Sequence, residues 1–198
     1  MTTSNSQGGG LRALFRFGPW VGAAALLALP AIAVRYSTEV AWTTFDFLFA
    51  GGMFLAVLIP WELAMRTGRD LAFLVGCAIA LGLGFLTVWF TGAVGIIGSE
   101  DNPANFMFFG VLAVALLGTV FSGFKAKGMS LAMVAAAAAQ LLVGAIAYLG
   151  NMGVEGESWP KDVIGLTGVF TLLWVLAGGL LRHSSRTSSG APAREPFA

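Results

Sequence analysis

Six apolar stretches, each long enough to cross a bilayer as a helix, leave this chain almost no choice of architecture. They cover residues 17–34, 45–65, 71–98, 103–124, 129–149 and 163–181. A hydrocarbon core about 30 Å thick takes about 20 apolar residues in helical form. The runs are continuous rather than alternating, so helices and not a closed barrel would satisfy the backbone. Composition agrees. Of the 198 residues, 57% are hydrophobic and 11% are charged, against about 25% charged in an ordinary soluble domain. A soluble chain of this size could not hide that much apolar surface. The sequence therefore predicts an all-α, polytopic membrane protein: a bundle of six transmembrane helices spanning residues 11–182. Short, mostly polar tails at 1–10 and 183–198 are expected to be disordered.

Charge sets the expected orientation. Arg12, Arg16, Arg66, Arg69, Lys125, Lys127, Arg182, Arg186 and Arg194 collect on one side of the six stretches, and only Arg35 and Lys161 on the other. Nine against two is a strong positive-inside bias, which puts both termini in the cytoplasm. The outer loops instead carry Glu39, Glu100, Asp101, Glu155, Glu157 and Asp162. A second reading of the first stretch stays open. A basic start, a short apolar core, Pro30 and then Ala31, Ile32 and Ala33 also fit a cleavable leader, whose removal would leave five spans.

Several chemistries are excluded by what the stretches lack. Lys125, Lys127 and Lys161 all fall in loops, so no span offers an amine for a retinal Schiff base. The one histidine, His183, follows the last stretch, which removes histidine-ligated haem and serine–histidine catalysis. The one cysteine, Cys77, allows neither an internal disulfide nor a thiolate cluster. No zinc, phosphate-loop or nucleophile-elbow motif occurs. Net charge of +1 offers no basic field for nucleic acid. No cofactor and no metal are expected, and the chain is not read as an enzyme.

Three polar features carry the remaining chemistry. Asp46, near the start of the second stretch, is either a first-turn acid favoured by the helix dipole or an ion, proton or ligand site. Glu62, about 24 Å further along the same helix, either pairs with Arg66 one turn on or serves as a proton site. The run from Thr91 to Asn105 is the densest signal. Gly92, Gly95 and Gly98 weaken the overlong third stretch, and Asn102 followed by Pro103 reads as the cap and first position of the fourth helix. That leaves Ser99, Glu100, Asp101 and Asn105 as oxygens that could bind a hard cation or form a docking edge for a partner. Elsewhere, Gly76, Ala80 and Gly84, with Gly51, Gly52, Gly165, Gly168, Gly178 and Gly179, are expected to be helix contacts, because small residues let backbones approach closely. Gln140 is expected to make one interhelical hydrogen bond. Pro30 and Pro60 are expected to kink or end their helices. Tyr36, Trp42, Tyr148, Trp159 and Trp61 form the expected interfacial belt.

The segment from Gly92 to Asn105, GAVGIIGSEDNPAN, resembles one found in an uncharacterised family of small bacterial inner-membrane proteins. Trp42, Phe45-Asp46-Phe47 and Glu62-Leu63-Ala64 share the resemblance, which covers roughly residues 42–149. It implies a multi-span protein of the bacterial inner membrane, and it brings no activity, cofactor or catalytic residue. The expected role is an accessory or scaffold component of a membrane complex. Its partners would be the lipid bilayer and either other membrane subunits or further copies of itself. The alternative is a proton, cation or small-solute transporter or channel using Asp46 and Glu62. An intramembrane enzyme built on Glu100 and Asp101 ranks last, since adjacent loop acids point apart and no nucleophile accompanies them.

Overall fold

A computed structural model of the chain describes residues 5–36, 41–156 and 158–189. Every regular element among these residues is helical, and six helices are long and apolar enough to cross a membrane. Glu39, Glu157, Arg194 and the outermost parts of both tails, 1–4 and 190–198, lie outside the described residues. The chain forms two compact units, Met1–Gly68 and Arg69–Ala198.

The first unit is a pair of helices, α1 (Asn5–Tyr36) and α2 (Thr44–Arg66). Helix α1 begins at Asn5 rather than after residue 10, so the expected tail is largely helix. Once a helix is nucleated, each added residue gains one backbone bond, and the apolar run ahead supplies the nucleus. Pro30 lies inside α1 and Pro60 inside α2, so neither ends its helix. Each proline removes one backbone donor while the apolar sequence on both sides keeps the helix going. Helix α2 starts on a capping box. The Asp46 N–H donates to Thr43 Oγ1 at 3.3 Å, and Asp46 Oδ2 accepts from the Thr43 N–H at 2.7 Å.

The second unit contains α3 (Leu71–Ala93), a 3-10 turn at Pro103–Phe106, α4 (Met107–Phe121), α5 (Ala126–Leu149) and α6 (Lys161–Ser189). Asp70 caps α3 by accepting from the Phe73 N–H at 3.1 Å. The overlong third stretch breaks at Val94. Gly95 and Gly98 then take φ of 78° and 71°, a region that L side chains rarely enter. A side chain on Gly95 would also run into the Ser99 carbonyl, which folds back beneath it. Asn102 caps the 3-10 turn, with Pro103 at its first position. Gly123 and Phe124 turn the chain between α4 and α5 with φ of 60° and 58°.

Helix α6 packs against α3 and α5, and α4 packs against α5. The contacts are close where glycine permits it. At Gly178 the Ser130 hydroxyl donates to the backbone carbonyl at 2.7 Å, and an added Cβ would lie 3.2 Å from Ser130 O. At Gly76 it would lie 3.0 Å from Leu181 Cγ. The expectation that the other glycines also mark contacts is corrected: Gly51, Gly52, Gly84, Gly165, Gly168 and Gly179 meet nothing within 4 Å. An added Cβ at any of them would stand in open space, so no close helix approach within their own unit depends on these glycines.

Helix α6 runs to Ser189, through residues expected in a disordered tail. Its last turns are held by the cap of α3. Thr187 Oγ1 donates to Asp70 Oδ2 at 3.1 Å, and the buried Ser184 hydroxyl donates to the same carboxylate. Those hydroxyls, Ser184 foremost, hold the Asp70 carboxyl below the usual carboxylate range, helped by the Phe73 N–H and opposed by partial burial.

Candidate functional site

Asp46 and Glu62, the described acids of the first unit, are each engaged by their own surroundings. Besides closing the capping box, Asp46 Oδ2 accepts from Thr43 Oγ1 at 2.8 Å. Glu62 takes the expected bond from Arg66 Nε to Oε1, at 2.8 Å, one turn along α2. A second cation was not legible in the sequence. Arg16 of α1 reaches both carboxylate oxygens through Nε, at 2.9 and 3.0 Å, and Oε1 again through Nη2. Beside this pair, Trp61 Nε1 donates to the Phe15 carbonyl at 3.0 Å. The early part of α1 is thus tied to the late part of α2 by an arginine fork and an indole. A fork with two parallel N–H donors fixes geometry as well as charge.

The segment 94–106 of the second unit is organised by one amide. Asn105 is 1% exposed. Its Oδ1 accepts from the backbone N–H groups of both Ile96 and Ile97, each at 2.8 Å. Its Nδ2 donates to the Ser99 carbonyl at 2.8 Å. One side chain therefore closes the nine-residue turn that follows α3. The two donors it satisfies belong to residues with no solvent exposure, where an unpaired N–H would be costly. Asn102 performs a second closure. Its Oδ1 accepts from the Ala104 N–H at 3.0 Å, and its Nδ2 donates to the Met152 carbonyl at 2.5 Å. That last bond joins the turn to the loop between α5 and α6, and Gly98, Gly153 and Gly156 give the two loops their close approach.

The five residues singled out in this segment are therefore divided. Asn105 is buried and Asn102 half-buried, and the side-chain oxygens of both are filled by backbone donors. Ser99, Glu100 and Asp101 are exposed. No His, Cys, Asp or Glu cluster that could hold a metal occurs among the described residues. Tyr148 and Trp159 stack at 6.2 Å beside the same loop.

A further group of polar side chains lies deeper in this unit. Thr87 and Thr91 of α3, Gln140 of α5, and Thr167, Thr171 and Trp174 of α6 are all more than nine-tenths buried. None of their side-chain polar atoms meets a hydrogen-bond partner among the described residues. Of the six, Gln140 stood out in the sequence, and Thr91 only as the first residue of the run 91–105; the interhelical bond expected of Gln140 is not formed. The overlooked signal is spacing: threonines one turn apart recur on both α3 and α6, which puts each pair on one helix face. Comparison with family models, curated proteins and solved structures finds no match for this chain.

Proposed function

We propose that the chain is an integral protein of the bacterial inner membrane. It crosses the bilayer six times with both termini in the cytoplasm, and it acts without catalysis as an accessory or scaffold component of a membrane complex. The observation that carries this reading is how little of its apolar surface the helix pair of the first unit covers by itself. Leu14, Phe15, Val21, Leu26, Leu29 and Ile32 on α1 are each more than half exposed. Lipid accounts for some of that surface, and a helix pair this thinly packed also suits docking against another membrane subunit or a second copy of the chain. The engaged acids favour the same reading. A proton or cation carrier working through Asp46 and Glu62 needs carboxylates free to exchange their ligand, and both are held by donors on the chain itself.

Photo-crosslinking from Val21 or Leu29 in native membranes tests the proposal. The expected product is a discrete crosslink to another polypeptide, and labelling of lipid alone at both positions would refute the scaffold role. Orientation is tested separately by reagents that do not permeate. Lys125 and a carboxyl-terminal tag should react only after the membrane is opened.

A further inference from the structure

We propose that the second unit contains an internal site for a small neutral molecule that both donates and accepts hydrogen bonds, lined by Thr87, Thr91, Gln140, Thr167, Thr171 and Trp174. The site goes beyond the scaffold reading and does not depend on it.

Helix register brings the six residues to one level. Helices α5 and α6 run antiparallel, with the Ser130 hydroxyl on the Gly178 carbonyl and Gly144 against the Thr167 side chain. One turn back along α5 from Gly144 is Gln140, and the matching turn along α6 is Thr171. Helices α3 and α6 are also antiparallel. Gly76 lies against Ala177 and Leu181, and the Phe90 and Phe170 rings meet at 6.1 Å. Thr87 therefore stands level with Thr171 and Trp174, and Thr91 level with Thr167. The layer is about 10 Å tall from Thr167 to Trp174.

Apart from Arg69 Nη1, whose guanidinium lies over the Phe73 ring ahead of the layer, the unpartnered buried side-chain atoms among the described residues all belong to this layer. Other buried polar side chains of the unit are satisfied: Asn105 by three good bonds, Ser130 by Gly178, and Ser184 by Asp70. Within the layer the residues are level yet outside hydrogen-bond geometry of one another. A molecule bridging them would remove the penalty that each buried, unpaired group otherwise carries.

The donor and acceptor types select the occupant. The Trp174 indole and the Gln140 amide nitrogen only donate, so the occupant must accept. Gln140 Oε1 only accepts, so the occupant must also donate, while the four hydroxyls serve either way. A lone cation would leave both N–H groups unmet. A lone anion would face Gln140 Oε1, and no lining side chain carries a charge to balance either ion. Water fits, and so does a small neutral solute of the amide or polyol class.

The full chain in bilayer nanodiscs, labelled with 15N at tryptophan, distinguishes these sources. The Trp174 indole signal is identified by its loss in Trp174→Phe. Bound water gives a cross-peak between that indole proton and water, unchanged by added urea or glycerol. A solute site gives instead a saturable shift of the indole signal on titration with urea or glycerol, lost in Gln140→Leu. An indole signal with neither behaviour overturns the proposal. Melting provides an independent reading. Thr171→Val and Gln140→Leu should each lower the midpoint by a few degrees, because the occupant loses a partner. A raised midpoint, the result of deleting a group that never had a partner, also overturns it.

Discussion

The two units are both built from helices apolar enough to cross a membrane, yet they are held in different ways. In the first, 6% of the α1 span and 17% of the α2 span are buried. The fastening is polar and sits at one end, where Arg16 and Arg66 grip Glu62 and Trp61 grips the Phe15 carbonyl. In the second, burial rises from 22% of the α4 span and 28% of the α3 span to 39% of the α6 span and 44% of the α5 span. There, close backbone approach does the fastening together with one interior amide and the grip of Asp70 on the end of α6. Apolar composition alone therefore does not determine packing. Small residues pack only where a neighbouring helix meets them, and helices without such neighbours are joined by directional bonds.

The largest break in this contrast should come from Asn105. Asn105→Ala strands the N–H groups of Ile96 and Ile97, and each buried unpaired donor costs about 1–3 kcal/mol. Chemical unfolding in mild detergent should show a loss of roughly 2–6 kcal/mol for the second unit. The Arg16 to Glu62 fastening, read by crosslinking between α1 and α2, should be unchanged. Asn105→Asp keeps the acceptor and loses the donor to Ser99, so a distinctly smaller loss is expected. Equal losses for the two variants would show that the acceptor is not the part that matters.

Glycine sharpens the contrast, because the same substitution should change sign between Gly144 at a close helix contact and Gly52 on an open face. At Gly144 an added methyl would overlap the Thr167 side chain, and overpacking of that kind costs about 1–3 kcal/mol. At Gly52 it would meet nothing within 4 Å, and alanine is the better helix former by about 0.5–1 kcal/mol. Gly144→Ala should therefore lower the melting midpoint, and Gly52→Ala should leave it unchanged or raise it slightly. A drop at Gly52 comparable with that at Gly144 would mean that α2 is covered by a partner in the membrane.

Much of this architecture is legible in the residues. Six helices follow from run length, because nothing but a helix satisfies so many backbone groups in an apolar run. The break after Ala93 and the cap at Asn102 are legible because glycine, asparagine and proline act locally. Glu62 with Arg66 is legible for the same reason: the partners are one turn apart. Arg16 is 46 residues from Glu62 in sequence, and no periodicity points across that interval. Gly76 and Gly84 look alike in a four-residue repeat, yet only Gly76 meets another helix. A contact is a property of two helices, and sequence shows each helix alone. Asn105 looks like one more loop oxygen until the turn closes around it. The buried threonine layer was hidden because a helical threonine ordinarily bonds its own backbone. That these hydroxyls do not is a matter of side-chain rotation and interhelical register.

The end fastening of the first unit has a smaller expected effect, and it should depend on salt. Glu62→Gln keeps the shape and removes the charge that Arg16 and Arg66 share. Crosslinking yield between cysteines placed at Phe15 and Trp61 should fall several-fold, with little change in the unfolding of the second unit. Raising ionic strength on the unsubstituted chain should act in the same direction, since partly exposed ion pairs are screened. Asp46→Asn is a useful control, because its bonds stay within one turn of α2 and do not reach α1. A loss of crosslinking equal to that of Glu62→Gln would show that the pairing of α1 with α2 depends on helix integrity rather than on the arginine fork.

The smallest effect should be acid sensitivity at Asp70, which belongs to the second unit alone. Its carboxyl is held below the ordinary value of 3.8, chiefly by the Ser184 hydroxyl. A carboxylate whose folded pKa is depressed stabilises the fold above its unfolded pKa, and that contribution is lost as pH falls through the folded value. Stability of the second unit should therefore be flat with respect to this group at neutral pH and begin to decline below about pH 4. Asp70→Asn should remove that part of the slope while lowering stability slightly at neutral pH, because an amide is a weaker acceptor for Ser184, Thr187 and the Phe73 N–H. Ser184→Ala should shrink the same slope without abolishing it, since two donors remain. An acid profile identical in all three proteins would show that the grip of Asp70 on the end of α6 contributes nothing measurable to holding the last helix in place.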